Sequence, residues 1–179
     1  MSKYLKIWMK SGAFFGIGMG LFYTFQQNNY ISGAIGGVIA GFLFGAAMAG
    51  FSFASDRKMK EKGMVTESTS VHQTKSLRIS LPIETVEPII LKAILSIPKT
   101  KLKNTSGNQF EAKTGMTWKS FGEEILVTLD EDGSSVIARM SSKPSLKTTI
   151  VDYGKNIENV HAISSYVEKA FEGEVSDCT

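Results

Sequence analysis

The chain has 179 residues and a formal net charge of +3, enough for one ordinary domain and an appendage. The charge is unevenly spread. Positions 1–70 carry seven Lys and Arg against three Asp and Glu, and positions 71–179 carry thirteen against fourteen. The near-neutral remainder excludes a dedicated nucleic-acid binder, whose footprint is a concentrated basic patch. The single cysteine, Cys178, excludes an internal disulfide, and no CxxC metal knuckle is present.

Two apolar runs come first. Ser11 to Phe25 is short for a membrane span of about 20 residues. It extends backwards through Ile7, Trp8 and Met9, because Lys6 and Lys10 can snorkel to the interface. The second run, Ile31 to Ala54, is long enough alone. Between them lies the uncharged QQNNY, which predicts a tight turn joining antiparallel spans at about 7–27 and 31–54. No small-x-small cleavage pattern follows Phe25, so the first run is expected to persist rather than be cleaved as a signal peptide. Lys3, Lys6 and Lys10 precede the first run, and Arg57, Lys58, Lys60 and Lys62 follow the second. The connecting loop has no basic residue, so the positive-inside rule places both termini in the cytoplasm. Tyr4, Trp8, Tyr23 and Tyr30 fall near the expected interfaces.

Gly33, Gly37, Gly41 and Gly45 recur every four residues, and Gly12, Gly16 and Gly20 do the same in the first run. In water each such glycine costs a helix about 1 kcal/mol relative to alanine. In lipid the helix backbone bonds internally whatever its side chains, and a stripe without side chains lets two helices approach closely. The two stripes predict a glycine-zipper-like hairpin over residues 1–54. A generic anchor whose glycines reflect composition is the alternative.

Positions 55–70 turn charged, then Ser- and Thr-rich, and read as the end of the second helix fading into a linker. From position 71 to 172 the pattern is globular. KSLRISLP alternates Leu77, Ile79 and Leu81, a half-buried strand. The next segment puts Val86, Ile90, Ala93, Ile94 and Ile97 on one helical face, with Thr85 as expected N-cap and Pro88 in the first turn. TKLKNT, QFEAKTGM, EEILVTLD and SVIARMSS read as strands, the last two joined by a turn at Asp132-Gly133. KTTIVD predicts a final strand, NIENVHAISSYVEKAF a closing helix capped by Asn156, and 173–179 a tail. The fold class expected is α+β: the helical hairpin, then an antiparallel sheet with two helices on one face, in the order β-α-β-β-β-β-β-α.

Three phrases, WKSFGEEILVTL, ARMSSKP and DYGKNIENV, resemble a group of uncharacterised small bacterial membrane proteins. These have a hydrophobic N-terminal hairpin and a C-terminal α+β domain. A more distant likeness is to bacterial domains of unknown function ending in a similar Asp-x-Gly-x-Asn element. The match spans about positions 75–172 and rests on roughly the last 55. It implies a bacterial source and a membrane setting, and it supplies no activity; with both termini in the cytoplasm, the bacterial inner membrane is the expected location.

No HExxH, GxSxG, Walker or dinucleotide-binding motif occurs. No catalytic residue, metal site or cofactor is therefore expected. His161 reads as a packing residue and His72 as linker. Glu123 and Glu124, adjacent on a strand, point to opposite faces and do not converge. Lys99, Lys101 and Lys103 alternate along a predicted strand, as a solvated face or one held against anionic headgroups. DYGKN has a structural reading, in which Gly154 takes positive φ, Asn156 caps the helix and Lys155 projects outward. In the functional reading Trp118, Ser120, Asp152 and Lys155 rim a ligand groove. Two functions fit: a membrane-anchored cytoplasmic module binding a protein or lipid-like ligand, or a structural protein whose hairpins assemble with other copies. The bilayer is the expected partner in both.

Overall fold

The computed structural model describes residues 2–62, 64, 71–117, 120–146, 148–149 and 153–178. The protein is an α+β chain that divides into two compact units, Met1–Gly63 and Met64–Thr179.

The first unit is two helices, α1 (Lys3–Gln27) and α2 (Tyr30–Glu61). Asn28 turns the chain in the left-handed region at φ 49°. Asn29 then caps α2, its Oδ1 accepting from the backbone N–H of Ile31 at 2.9 Å and of Ser32 at 3.3 Å. Both helices exceed the spans read from hydropathy: α1 begins four residues earlier, and α2 runs through the charged segment after Ala54. Of the helices described, α2 is long and apolar enough to cross a membrane.

The second unit is a six-stranded antiparallel sheet of order β2-β3-β4-β5-β1-β6. Its strands are β1 (Gln73–Ile79), β2 (Thr100–Ser106), β3 (Gln109–Thr114), β4 (Glu123–Asp132), β5 (Ser135–Pro144) and β6 (Val175–Asp177). Helices α3 (Ile83–Leu95) and α4 (Lys155–Ala170) pack their apolar sides onto it. The core joins Leu77 and Ile79 of β1, Ile90 and Ile94 of α3, Phe110 of β3, and Ile163 and Val167 of α4. Between them lie Ile125, Val127 and Leu129 of β4 against Val136, Ala138 and Met140 of β5. In that central pair Val127 lies opposite Met140 and Leu129 opposite Ala138, so period-two alternation sends these core side chains inward and leaves Leu126 and Ile137 on the outer face.

Several expectations are corrected. The element order is β-α-β-β-β-β-α-β. The supposed tail carries β6, which pairs with β1 as Ile79 meets Val175 and Leu77 meets Asp177. A three-residue edge strand carries too little pattern to stand out in sequence. The predicted strand KTTIVD falls mostly outside the described residues, and Thr148 and Thr149 are not in a strand. Helix α3 starts at Ile83 behind Pro82, so Thr85 lies inside it and Pro88 one turn deeper than expected. Pro88 and Glu84 are both exposed, so water can satisfy the Glu84 carbonyl that proline leaves without a donor. Asp132 stays in the β4–β5 ladder opposite Ser135, leaving Gly133, at φ 65°, and Ser134 as the turn.

The lysine strand is also different. Lys99 precedes β2 at φ 61°, and a bulge between Leu102 and Asn104 breaks the alternation before Lys103. β2 is an edge strand. Its bulge and exposed lysines discourage pairing with a further strand, and the opposite edge is protected by the shortness of β6.

Lys75 ties β1 to α4 and β6, with Nζ 2.8 Å from Glu168 and 3.0 Å from Asp177. Burial works against its charge, but the hydrogen bonds and attraction of the two carboxylates prevail, holding its pKa above 10.5. A raised lysine pKa contributes stability below the unfolded-state value and loses it as pH climbs through the folded one. Lys75→Met is therefore expected to destabilise the fold by up to about 1 kcal/mol at neutral pH, since the carboxylates are part-exposed. In melts repeated at rising pH, the gap to the parent chain should close in the alkaline range.

Candidate functional site

Two places in the molecule depart from ordinary packing. The first is the seam between α1 and α2. A Cβ built on Gly12 would lie 2.7 Å from the Gly41 carbonyl oxygen, and one on Gly16 would lie 2.8 Å from that of Gly37. One on Gly20 would lie 3.2 Å from the Gly33 oxygen. From the other side, a Cβ on Gly37 would meet the Gly16 oxygen at 2.6 Å, and one on Gly45 the Trp8 oxygen at 2.5 Å. The helices thus touch backbone to backbone. Larger groups flank the seam, where Phe15 stacks on Phe44 at 4.3 Å and Trp8 meets Phe42 edge-on at 5.3 Å, and beyond the last glycine Tyr4 meets Phe53 at 5.5 Å. Lys3 Nζ then pairs with Asp56 at 2.8 Å, and Tyr4 donates to the same carboxylate at 3.0 Å.

Burial in this unit is the reverse of a water-soluble helix pair. Gly12, Gly33, Gly37, Gly41 and Gly45 are buried, while Phe14, Phe25, Ile31 and Val38 are each more than two-thirds exposed. A groove of about 660 Å³ runs along one flank of the seam, floored by the glycines and walled by Trp8, Ile17, Leu21, Val38 and Phe42.

The second place is a polar layer inside the sheet unit. Glu123, Ser142 and Asn156 are fully buried, and Thr114 and Asn159 nearly so. The Thr114 and Ser120 hydroxyls donate to the two oxygens of Glu123, and the Glu123 backbone N–H donates back to Thr114 Oγ1 at 2.8 Å. Asn159 Nδ2 reaches Ser142 Oγ at 3.1 Å and Glu123 Oε2 at 3.5 Å, and Ser142 donates to Asn156 Oδ1 at 2.7 Å. The network clasps the first turns of α4 to β3, β4 and β5. Ser120 and Glu123 come from WKSFGEE, Ser142 from ARMSSKP, and Asn156 and Asn159 from DYGKNIENV. The three phrases thus meet in one buried cluster.

The sequence reading missed this cluster, although the parity was visible. Glu123 shares the strand face of Ile125, Val127 and Leu129, and Ser142 that of Ala138 and Met140. Asn156 is corrected: it lies inside α4, facing the sheet, and the N-cap is Gly154 at φ 75° with no side-chain cap. Lys155 is corrected too. Its side chain lies down, 17% exposed, with Nζ 3.7 Å from Glu158. Of the proposed ligand rim, Trp118 and Asp152 lie outside the described residues. Ser120 turns its hydroxyl inward to Glu123, and among the described residues no hydrogen bond or ion pair joins it to Lys155. Glu124 faces out, 3.4 Å from Lys143, so the adjacent glutamates do not converge. His161 hydrogen-bonds Ser165 along its own helix at 3.0 Å. Among the described residues no three His, Cys, Asp or Glu gather as metal ligands.

No protein-family model matches the chain, and no curated protein matches it.

Proposed function

We propose that the chain is a bacterial inner-membrane protein in which α1 and α2 form a two-span hairpin, holding the α+β unit at the cytoplasmic surface as a binding module. The observation that carries this reading is the inverted burial of the first unit: small residues inside, large apolar side chains outside. In water that surface would be an aggregation hazard. In a bilayer it is the side that meets acyl chains, and close glycine contact supplies the packing that hydrophobic burial cannot. At about 1.5 Å per residue, the 32 residues of α2 extend about 48 Å, beyond a hydrocarbon core of about 30 Å. Its last turns, with Asp56, Arg57, Lys58 and Lys60, then stand clear of the core.

The second reading is self-assembly through the zipper glycines. The groove beside the seam favours it, because a glycine floor admits another helix closely. It differs from the first in where function resides. Replacing the hairpin by an unrelated two-span anchor should preserve the activity of a tethered module and abolish that of an assembling hairpin.

The topology is tested by fusing reporters after Thr179. A reporter active only in the cytoplasm is expected to work, and the protein should stay in the membrane fraction after alkaline carbonate washing. Activity of a periplasm-only reporter, or release by carbonate, would refute this reading.

A further inference from the structure

We propose that one end of the sheet's outer face, away from α3 and α4, docks on the anionic headgroups of the bilayer. The proposal rests on the membrane reading above. The outer face is electrically lopsided. At the end nearer the β4–β5 turn, charges are balanced by Arg139 with Asp130 at 3.0 Å and Arg78 with Asp132 at 2.7 Å. At the other end, strand register lines up Lys101, Lys113, Glu124 and Lys143 across β2, β3, β4 and β5. Glu124 pairs with Lys143. Lys101 and Lys113 face each other directly, both exposed, and among the described residues neither has a carboxylate in ion-pair reach. Like charges opposite one another across a ladder repel, and an external anion relieves that repulsion.

Large apolar side chains protrude at this same end. Met116 and Phe121, each 63% exposed, lie on the β3–β4 connection, and Leu146, 46% exposed, follows β5. The Ser145 N–H donates to the Gly122 carbonyl at 2.9 Å, holding the two segments together. Singly, exposed apolar residues need no explanation. Grouped beside a row of three lysines and one glutamate, they match an interfacial anchor, in which apolar groups enter the headgroup–acyl boundary and ammonium groups reach the phosphates. An acidic protein would satisfy the lysines as well. The bilayer is favoured because a membrane-anchored chain holds this surface near lipid at high effective concentration.

The test uses the full chain in lipid nanodiscs of phosphatidylcholine, alone or mixed with phosphatidylglycerol. An aromatic, polarity-sensitive dye is attached through Phe121→Cys in a Cys178→Ser background. A reference probe is placed by Ser134→Cys in the turn at the opposite end. The probe at 121 should shift to the blue in anionic discs alone and revert in high salt, while the one at 134 stays unchanged. Lys101→Ala with Lys113→Ala should lower the docked-to-free ratio about 25-fold, about five-fold for each lysine. A chain that enters the discs while the probe at 121 ignores phosphatidylglycerol overturns the docking alone and points to an acidic protein partner. An equal response from the probe at 134 also overturns it. A chain that fails to enter discs overturns the membrane reading, and this proposal with it.

Discussion

Glu123→Ala is expected to destabilise the α+β unit by about 3–5 kcal/mol, a large part of a small domain's stability. The carboxylate is fully buried and accepts from the Thr114 and Ser120 hydroxyls, with Asn159 Nδ2 at 3.5 Å. Alanine removes the acceptor these donors share, and each buried donor left without a partner costs about 1–3 kcal/mol. It also opens a void, because Glu123 is among the largest fully buried side chains. The neighbouring Glu124→Ala is the internal comparison. That carboxylate is on the outer face and pairs with part-exposed Lys143, so its loss should cost less than about 1 kcal/mol. Urea unfolding followed by near-ultraviolet circular dichroism measures both. Equal small losses would show that the buried network does not hold α4 to the sheet.

Gly41→Leu is expected to force α1 and α2 apart, at a cost of about 3 kcal/mol or more. Its new Cβ would lie 2.5 Å from the Gly12 carbonyl oxygen and 3.0 Å from Gly16 Cα. Both are backbone atoms, which cannot swing aside as a side chain can. Gly18→Leu makes the same chemical change on α1 where nothing lies within 4 Å, so it should be tolerated. Leu43→Ala, at an exposed position, should also be mild. Tyr4→Cys and Phe53→Cys, in a Cys178→Ser background, can be joined by a short bifunctional maleimide because the two rings sit 5.5 Å apart. The cross-link should be lost in Gly41→Leu and kept in the other two. Equal yields in all three variants would mean that close glycine contact does not hold the pair.

The two tests probe opposite ways of holding helices. In the first unit, contact comes from removing side chains until the backbones touch. In the second, it comes from an apolar core closed at one end by a polar layer. Lining one end of a core with hydrogen-bonding groups restricts α4 to positions where those bonds are made. A purely apolar interface would allow it to slide along the sheet.

Local pattern alone was sufficient for much of this protein. Four-residue glycine spacing marked the faces that meet in α1 and α2, because helical periodicity puts such residues on one stripe. Two-residue alternation marked the core sides of β1, β4 and β5, and the 3.6-residue repeat that of α3. Gly154 was readable as a positive-φ position because that conformation suits a residue without Cβ. What the sequence could not decide depended on partners distant along the chain. Asn156 looked like a cap until Ser142, 14 residues away, took its oxygen, and Glu123 had no partner in the sequence pattern, whereas the fold brings it Thr114, nine residues back, and Asn159, 36 residues on. β6 became a strand because β1 offered an open edge, and Lys101 and Lys113 became neighbours through strand register. A polar residue's role is set by which donor or acceptor lies within about 3 Å of it, and only the tertiary structure brings those atoms together.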